Sequence, residues 1–441
     1  MLKLEYKEQL LNLDNNKYIE FIINEYYNNI EFLYKLVKKF EIKYDNNLLN
    51  IYNKYKKNLF YVLKKISKIT LIGGDEIYDK HAANTSYYTI LCNNEINLKS
   101  FKLFILFYYI DSLISKELYL PMDCEFNTNK NSSAARSFEI ALMQLNFEND
   151  KENFIYIFYP PKLDNDTNLF LKHNIFNNKY IKIILHGGDS LDIPYLFYTF
   201  FKNNKEEIIK FANNLIDTKY LCEYYHNDKE IDAKCKIKDI LLELNIINQK
   251  KMDYLVENEI KMGNISEINI DINNISDELL KYSLYDVIYL KYLFLKFKKI
   301  DNYIYGELIP EMTSYVYLDR RGIINITEKV DKIIYRLNLG KIEDFDDNLS
   351  NIFMTILYVV YDSKIMNIFK INYFKKNIET LLKIINYNIL IANYKIIMPN
   401  NTEFNGYINI GSIFKSLRLY NMMNIFKLLN YYKEEINKYL I

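Results

Sequence analysis

An alternation of apolar and other residues over the segment YLPMDCEF is the strongest constraint on the fold of this chain. The apolar residues that occupy every second position are Leu120, Met122, Cys124 and Phe126. A period of two is typical of a β-strand, in which successive side chains point to opposite faces. Two further apolar runs follow at 138–147 and 154–159, separated by short polar segments. Three strands with short connections predict an antiparallel meander.

The segments after this meander alternate between helix and strand. The pattern predicts a helix near 166–177, a buried strand Ile181–Leu185, a helix starting near Ser190 and a short strand near Leu215. A long helix is predicted from Ser276 to Phe297, with Ser276 as its N-cap. This order of elements predicts an α/β fold of the ribonuclease-H-like type, a mixed five-stranded sheet flanked by helices.

The length of 441 residues suits two or three domains. We predict a mostly helical N-terminal region at 1–114, the α/β domain at 115–300, and a helical C-terminal domain at 301–441. In the N-terminal region, six lysines between Lys54 and Lys68 occur with no acidic residue among them. On a helix they form a cationic face, which is either a solvated surface or a track for phosphates.

Composition says more about the setting of the protein than about its function. The abundance of Asn, Ile, Lys and Tyr follows AT-rich codons and fits a protist or a large cytoplasmic DNA virus. The net charge of +1 does not indicate a nucleic-acid binder, so a basic surface has to be local. The N-terminus has no apolar signal core, and the longest apolar run, 103–110, is too short to cross a bilayer. We expect a soluble intracellular protein, either cytoplasmic or nuclear.

The four cysteines are widely spaced and include no CxxC pair; they are Cys92, Cys124, Cys222 and Cys235. This spacing argues against a disulfide framework or a zinc ribbon. Cys222, His226 and Cys235 are candidates for part of a metal site. The interpretation that we favour is scattered, reduced thiols.

Asp123 and Glu125 lie two residues apart on the first predicted strand, so both carboxylates project from the same face. Two like charges held side by side are unfavourable unless a cation neutralises them. Hard oxygen ligands suit Mg²⁺ or Mn²⁺. Because the chain has 56 acidic residues, D-x-E triplets also arise by chance, and this motif needs supporting features.

The segment KIILHGGDSLDIPYL supplies one such feature. A buried strand ends near His186, turns through Gly187 and Gly188, and enters a helix. Pro194 belongs in the first turn of that helix, where its missing N–H costs nothing, and this places Asp192 at the helix start. Ligands of α/β sheets bind at this kind of edge. His186 contacts the ligand there or is a structural histidine.

Tyr282 and Asp286 lie four residues apart on the last predicted helix, so their side chains share a face. Tyrosine and aspartate are both common in this chain, and either residue alone carries little information. Their order after the two earlier acidic features is what makes the set informative.

As an ordered set, these motifs resemble the 3′→5′ exonuclease family that includes ribonuclease D, the nuclear-exosome 3′ exonuclease and the proofreading domains of DNA polymerases. This is the tyrosine subgroup of the DEDD superfamily, with a D-x-E strand, an Asp at a helix start and a Y-x3-D helix. Further segments are similar to the ribonuclease D branch, namely Ala141–Leu145, Ile216–Thr218, Ile237–Leu242 and Asp286–Leu290. The resemblance covers about 40% of the chain.

The resemblance implies hydrolysis of nucleic acid from a free 3′ end with two divalent ions, Mg²⁺ or Mn²⁺. Asp123 is expected to bridge both ions, Glu125 and Asp286 to complete one site, and Asp192 to hold the second ion through water. Tyr282 is expected to orient the attacking water. The residues expected to contact the nucleic acid are Phe126 and His186. RNA is slightly favoured over DNA as the substrate.

One departure from the family pattern affects the assignment of a ligand. The family places four residues between the histidine and its aspartate, whereas five separate His186 from Asp192. Asp189 is therefore a rival for the metal-facing role, although Ile193 and Leu196 follow Asp192 as in the family. Two alternative functions stay open, a DNA exonuclease or proofreading-type module and a catalytically inactive nucleic-acid-binding relative.

Overall fold

A computed structural model describes residues 15–72, 85–129, 137–148, 152–228, 235–302 and 304–323. The chain divides into two compact units. Unit 1 comprises Met1–Ile216 and Lys238–Leu295, and unit 2 comprises Asp217–Ile237 and Lys296–Ile441. Most of the predicted C-terminal helical domain lies outside the described residues, and the boundaries at 114 and 300 stay predictions.

A mixed sheet of seven strands organises unit 1. In chain order the strands are β1 (Ile69–Ile72), β2 (Ser86–Leu91), β3 (Leu118–Asn129), β4 (Ser137–Phe147), β5 (Glu152–Phe158), β6 (Ile181–Leu185) and β7 (Leu215–Asp217). Their order across the sheet is β1-β2-β5-β4-β3-β6-β7. β3, β4 and β5 pair antiparallel, and β6 runs parallel to β3. The predicted meander and the ribonuclease-H-like α/β class are therefore confirmed.

The sheet has two more strands than the five that the sequence predicts. β2 pairs in parallel with β5, from Ser86 opposite Glu152 to Leu91 opposite Ile157, and β1 pairs antiparallel with β2. These pairings join segments that are far apart along the chain. Alternation of apolar residues within a short segment indicates a β-strand, but it does not indicate which strand of the sheet that segment pairs with.

The described residues of the two units also form α-helices, several of which begin at a side-chain cap. They are α1 (Asn15–Asn28), α2 (Ile30–Ile42), α3 (Asn46–Ile66), α4 (Glu95–Ser115), α5 (Asn165–Phe170), α6 (Asp192–Pro194), α7 (Lys205–Ala212), α8 (Thr218–Asp228), α9 (Ile237–Glu243), α10 (Gln249–Met262), α11 (Asp277–Ile288), α12 (Leu290–Ile300) and α13 (Ile309–Arg320). Asp45, Asn94 and Asn248 accept a hydrogen bond from a backbone N–H in the first turn of α3, α4 and α10. π-helical segments continue α5 and α6, at Leu171–Phe176 and Tyr195–Phe200.

The longest apolar run of the chain lies in α4, which is a core helix. α4 packs against α1, α2 and α3, and its aromatic side chains contact the sheet. The rings of Phe104 and Phe147 lie 5.1 Å apart, and those of Phe101 and Phe158 lie 4.8 Å apart. Each such pair contributes about 1 kcal/mol beyond its buried area. No helix among the described residues is long and apolar enough to span a membrane.

The cationic face of α3 is partly taken up by ion pairs within unit 1. The Lys56 ammonium lies 2.7 Å from the Asp111 carboxylate, and Lys64 pairs with Glu152. These contacts favour the interpretation of the lysines as a structural and solvated surface over a phosphate track.

The helix predicted from Ser276 to Phe297 is in fact two helices, α11 and α12, with Tyr289 between them. Ser276 caps α11 as predicted, because its hydroxyl accepts the N–H of Leu279 at 3.1 Å. Tyr289 is buried and stacks on Tyr285. An interruption of a single residue leaves the helical spacing of apolar side chains intact, so the sequence pattern does not reveal it.

Unit 2 contains α8, α13 and the π-helical segment Ile304–Leu308. The hydroxyl of Tyr317 on α13 donates a hydrogen bond to Asp217, directly before α8. The rings of Tyr220 and Tyr317 meet edge to face at 5.6 Å. All three residues are buried, so this contact anchors α13 beside α8.

Two of the four cysteines do not fit the predicted scattered thiols. Cys222 and Cys235 form a disulfide, whereas Cys92 and Cys124 are free and buried. The two bonded cysteines are 13 residues apart in sequence, but their Cα atoms lie only 5.8 Å apart. The prediction was wrong for this pair because the return of the chain after α8 is a tertiary feature without a sequence motif.

Candidate active site

Three carboxylates from two separated segments converge on one face of the sheet. Asp123 and Glu125 project from β3, and Asp286 projects from α11, which packs on β3 and β4. Carboxylate oxygens of all three residues lie within 4.8 Å of one another. Glu125 is buried, while Asp123 and Asp286 keep part of their surface exposed. A divalent cation can therefore reach a pocket that is rich in negative charge.

The electrostatics of this group disfavour three ionised carboxylates. Burial raises the pKa of Asp123 well above its usual range, and the charge of Asp192 raises it further. Burial is also the main cause of the raised pKa of Glu125, followed by the charges of Asp123, Asp286 and Asp192. The pKa of Asp286 is raised by burial and by Asp123, while Lys238 opposes this shift. A bound cation would remove this repulsion.

The turn between β6 and α6 places Asp192 beside the group. Gly187 adopts a φ of +75°, which a residue with a side chain rarely takes. A Cβ at Gly188 would lie 3.0 Å from the Leu185 side chain and 3.3 Å from the Asp192 Cβ, so glycine lets Asp192 approach. The Cys124 thiol donates a hydrogen bond to the Asp192 carboxylate. Among the described residues, the trio within 4.8 Å does not include Asp192.

The predicted rival, Asp189, lies in the same turn and is partly exposed, as is His186 at the end of β6. α6 begins at Asp192, with Pro194 in its first turn, as the sequence predicts. The charge of Asp192 raises the pKa of both Asp123 and Glu125. This coupling favours Asp192 over Asp189 as the fourth carboxylate, and the choice stays a prediction.

The Tyr282 hydroxyl lies one helical turn before Asp286 and donates a hydrogen bond to its carboxylate. The negative charge of Asp286 is the main cause of a raised pKa for Tyr282, and burial adds to the shift. The phenol therefore stays protonated at neutral pH and can act as a hydrogen-bond donor beside the carboxylates.

Phe126 directly follows Glu125 in β3, at a β-bulge between β3 and β4. Its side chain is half-buried and meets the ring of Tyr195 edge to face at 6.0 Å. The two rings form an aromatic pair that begins one residue after Glu125 in the sequence. The predicted contacts of Phe126 and His186 with nucleic acid stay predictions.

Several residues that contact the group were missed by the sequence analysis. The Gln144 amide and the Ser283 hydroxyl each donate to Glu125 Oε1 at 3.4 Å. Gln144 lies opposite Asp123 in the register of β3 and β4, a relation that only the strand pairing reveals. Lys238 pairs with Glu259 and acts on Asp286. In a lysine-rich chain, no local signal distinguishes Lys238.

Comparison with curated proteins finds the uncharacterized protein L533 of Acanthamoeba polyphaga mimivirus. It is 29% identical over 362 residues, which cover 75% of this chain and 69% of that protein. No protein-family model matches the chain.

Among solved structures, the chain is similar in fold to RNase D. The Trypanosoma brucei RNase D:GMP complex has 12% identity and a TM-score of 0.36, covering 52% of this chain and 64% of that chain. Escherichia coli RNase D has 12% identity and a TM-score of 0.35, covering 63% and 62%. The Aedes aegypti Nibbler EXO domain has 14% identity and a TM-score of 0.31, covering 48% and 91%. The chain thus spans less than two thirds of both RNase D chains.

Proposed function

We propose that this chain is a metal-dependent 3′→5′ exonuclease that hydrolyses nucleic acid from a free 3′ end, with RNA slightly favoured over DNA. The observation that carries this proposal is the convergence of Asp123, Glu125 and Asp286 within 4.8 Å, beside the hydroxyl of Tyr282. The direction of cleavage is supported by the ordered motifs D-x-E, Asp at a helix start and Y-x3-D.

The residues of the site fit divalent metal ions. All candidate ligands are carboxylate oxygens, the hard donors that Mg²⁺ and Mn²⁺ prefer. Burial and the neighbouring carboxylates raise the pKa of Asp123, Glu125 and Asp286, and a bound cation would offset this repulsion. In this proposal Asp123, Glu125 and Asp286 would hold the ions directly, with Asp123 as a ligand common to both, and Asp192 would act on the second ion through water. Bound ions activate water and neutralise charge on the leaving 3′ oxygen.

The remaining side chains orient the reactants. Tyr282 holds Asp286 through its hydrogen bond and can direct the attacking water with the same protonated hydroxyl. Gln144 and Ser283 fix one oxygen of Glu125, which leaves the other oxygen available to a cation.

The aromatic pair of Phe126 and Tyr195 suits the terminal base of a nucleic-acid strand. Phe126, supported by the ring of Tyr195, would stack on the terminal base, a contact that is tolerant of sequence. His186, which follows the end of β6, would contact the nucleic acid.

The test is nucleotide release from single-stranded RNA and DNA of matched sequence, with Mg²⁺, Mn²⁺ or EDTA. A 3′ label should appear at once as mononucleotide, a 5′ label should yield a ladder, and EDTA should stop both. Asp286→Asn should be inactive. Asp253→Asn, which changes an exposed acid on α10, should match the wild type.

Each alternative function predicts a different result in this assay. Faster release from DNA than from RNA would indicate a DNA exonuclease or proofreading-type module. Binding of the strands with no release under any metal would indicate an inactive relative and would overturn the proposal.

A further inference from the structure

Unit 2 contains a second group of metal-ligating side chains, unrelated to the carboxylates. Cys222 and His226 lie on α8, and Cys235 lies two residues before Ile237, the first residue of α9. All three are buried, and one potential ligand atom from each lies within 4.8 Å of the others. Two sulfurs and one imidazole are a donor set suited to Zn²⁺.

The histidine is already placed as a zinc ligand would be. Cys222 and His226 are four residues apart on α8 and share a face. His226 Nδ1 lies 3.6 Å from Cys222 Sγ and 3.3 Å from Cys235 Sγ. With Zn–S of about 2.3 Å and Zn–N of about 2.05 Å, a tetrahedral zinc ion separates sulfur from nitrogen by about 3.6 Å. Little movement of the imidazole is therefore needed to complete such a site.

The backbone conformation of Cys235 is consistent with a ligand site at its contact with α8. Cys235 has a φ of +49°, in the left-handed region that residues with a side chain seldom adopt. Such conformations persist where the surrounding structure holds them, and they concentrate at ligand sites. Here the conformation accompanies contact of the Cys235 sulfur with His226.

In the structure Cys222 and Cys235 are joined as a disulfide, a bond in which the His226 imidazole takes no part. We propose that the reduced pair, together with His226, binds one Zn²⁺ ion, and that the disulfide is the oxidised, metal-free form of the same site. Either form joins α8 to the segment before α9.

A dithiol can reduce the disulfide to the zinc-binding form. The dithiol gives two electrons and two protons to the disulfide, which yields two cysteine thiols and the cyclic disulfide of the reductant. Zn²⁺ then displaces both thiol protons. The sulfurs separate to about 3.8 Å to share the ion, and water takes the fourth position.

The test uses the full chain, reduced with dithiothreitol and desalted without oxygen, and Co²⁺ as a spectroscopic probe. The reduced protein should show a thiolate-to-cobalt charge-transfer band that saturates when one Co²⁺ occupies this site and that Zn²⁺ abolishes by displacement. The carboxylate site cannot produce this band, so the readout is independent of the proposed nuclease. The oxidised protein should show no band.

Variants identify the ligands. Cys222→Ser and His226→Ala should each weaken the Co²⁺ binding that this band reports by at least about 100-fold. Mutation of a residue that only hydrogen-bonds to a metal ligand already lowers metal affinity by about 10–100-fold. Cys92→Ser, which changes a buried free thiol outside this group, should give the same band and the same affinity as the wild type. Undiminished binding by His226→Ala would overturn the three-ligand site.

A measurement on the unaltered chain covers the case in which a variant fails to fold. Zn²⁺ should protect Cys222 and Cys235 of the reduced protein from alkylation by iodoacetamide, as read by peptide mass spectrometry. A folded, reduced protein with no thiolate band and no protection by Zn²⁺ would show that the pair is a structural disulfide only.

Discussion

Replacing Asp123 with Asn removes one charge from the carboxylate group while keeping the volume of the side chain. The oxygens of Asp123 lie within 4.8 Å of oxygens of Glu125 and Asp286. At an effective dielectric constant of about 20, two unit charges at that distance repel by about 3 kcal/mol. Because burial and mutual repulsion raise these pKa values, full ionisation of the group is disfavoured, and we expect a smaller net effect. Asp123→Asn should stabilise the metal-free protein by about 1–3 kcal/mol.

The assay is urea unfolding at pH 7.5, in EDTA and in Mn²⁺, together with turnover on labelled RNA. Mn²⁺ at about one hundred times its dissociation constant should stabilise the wild type by about 2.7 kcal/mol. The variant should lose most of that gain, and its turnover should fall below about 1% of wild type. Asp253→Asn, an exposed change on α10, is the control and should alter none of these values.

An Asp123→Asn protein that is no more stable than wild type in EDTA and responds equally to Mn²⁺ would show that Asp123 neither repels its neighbours nor binds the metal. Turnover above about 1% of wild type would separately sink the assignment of Asp123 as the bridging ligand, because losing such a ligand costs several kcal/mol of transition-state stabilisation.

Three further predictions address other residues. Asp192→Asn should slow nucleotide release far more than Asp189→Asn, since Asp192 is coupled to Asp123; the opposite order would reassign the fourth carboxylate. Tyr282→Phe removes only the hydroxyl, so it should slow single-turnover cleavage by about 10²–10⁴-fold at saturating Mn²⁺ and leave nucleic-acid affinity unchanged. A rate equal to that of the wild type would show that the tyrosine has a structural role only. Burial raises the pKa of Glu148 from an ordinary 4.5 to about 7, although the Lys291 ammonium 2.6 Å away opposes the shift. The folded state therefore binds the proton more tightly than the unfolded chain does. The contribution of Glu148 to the free energy of unfolding should fall by about 3 kcal/mol as pH rises from about 4.5 to about 7. Glu148→Gln should flatten this dependence in urea unfolding at pH 5 and 7.5, and an unchanged slope would exclude Glu148 as its source.

The sequence by itself determined the features that depend on neighbouring residues. Alternation over β3 placed Asp123 and Glu125 on one face, because successive side chains of a strand point in opposite directions. Ser276 marked the start of α11, and Pro194 marked the first turn of α6. The order of these elements predicted the α/β class, and the resemblance of the ordered motifs to the 3′→5′ exonuclease family predicted the candidate carboxylates.

Only the tertiary structure decided what lies beside those carboxylates. Asp286 reaches Asp123 because α11 packs on β3 and β4, and Gln144 reaches Glu125 because of the β3–β4 register. The added strands β1 and β2, the interruption at Tyr289 and the pairing of Cys222 with Cys235 also depend on contacts between distant segments. Hydrophobic periodicity and capping act over one or two turns of chain, whereas sheet register and helix docking are selected by the burial of whole surfaces.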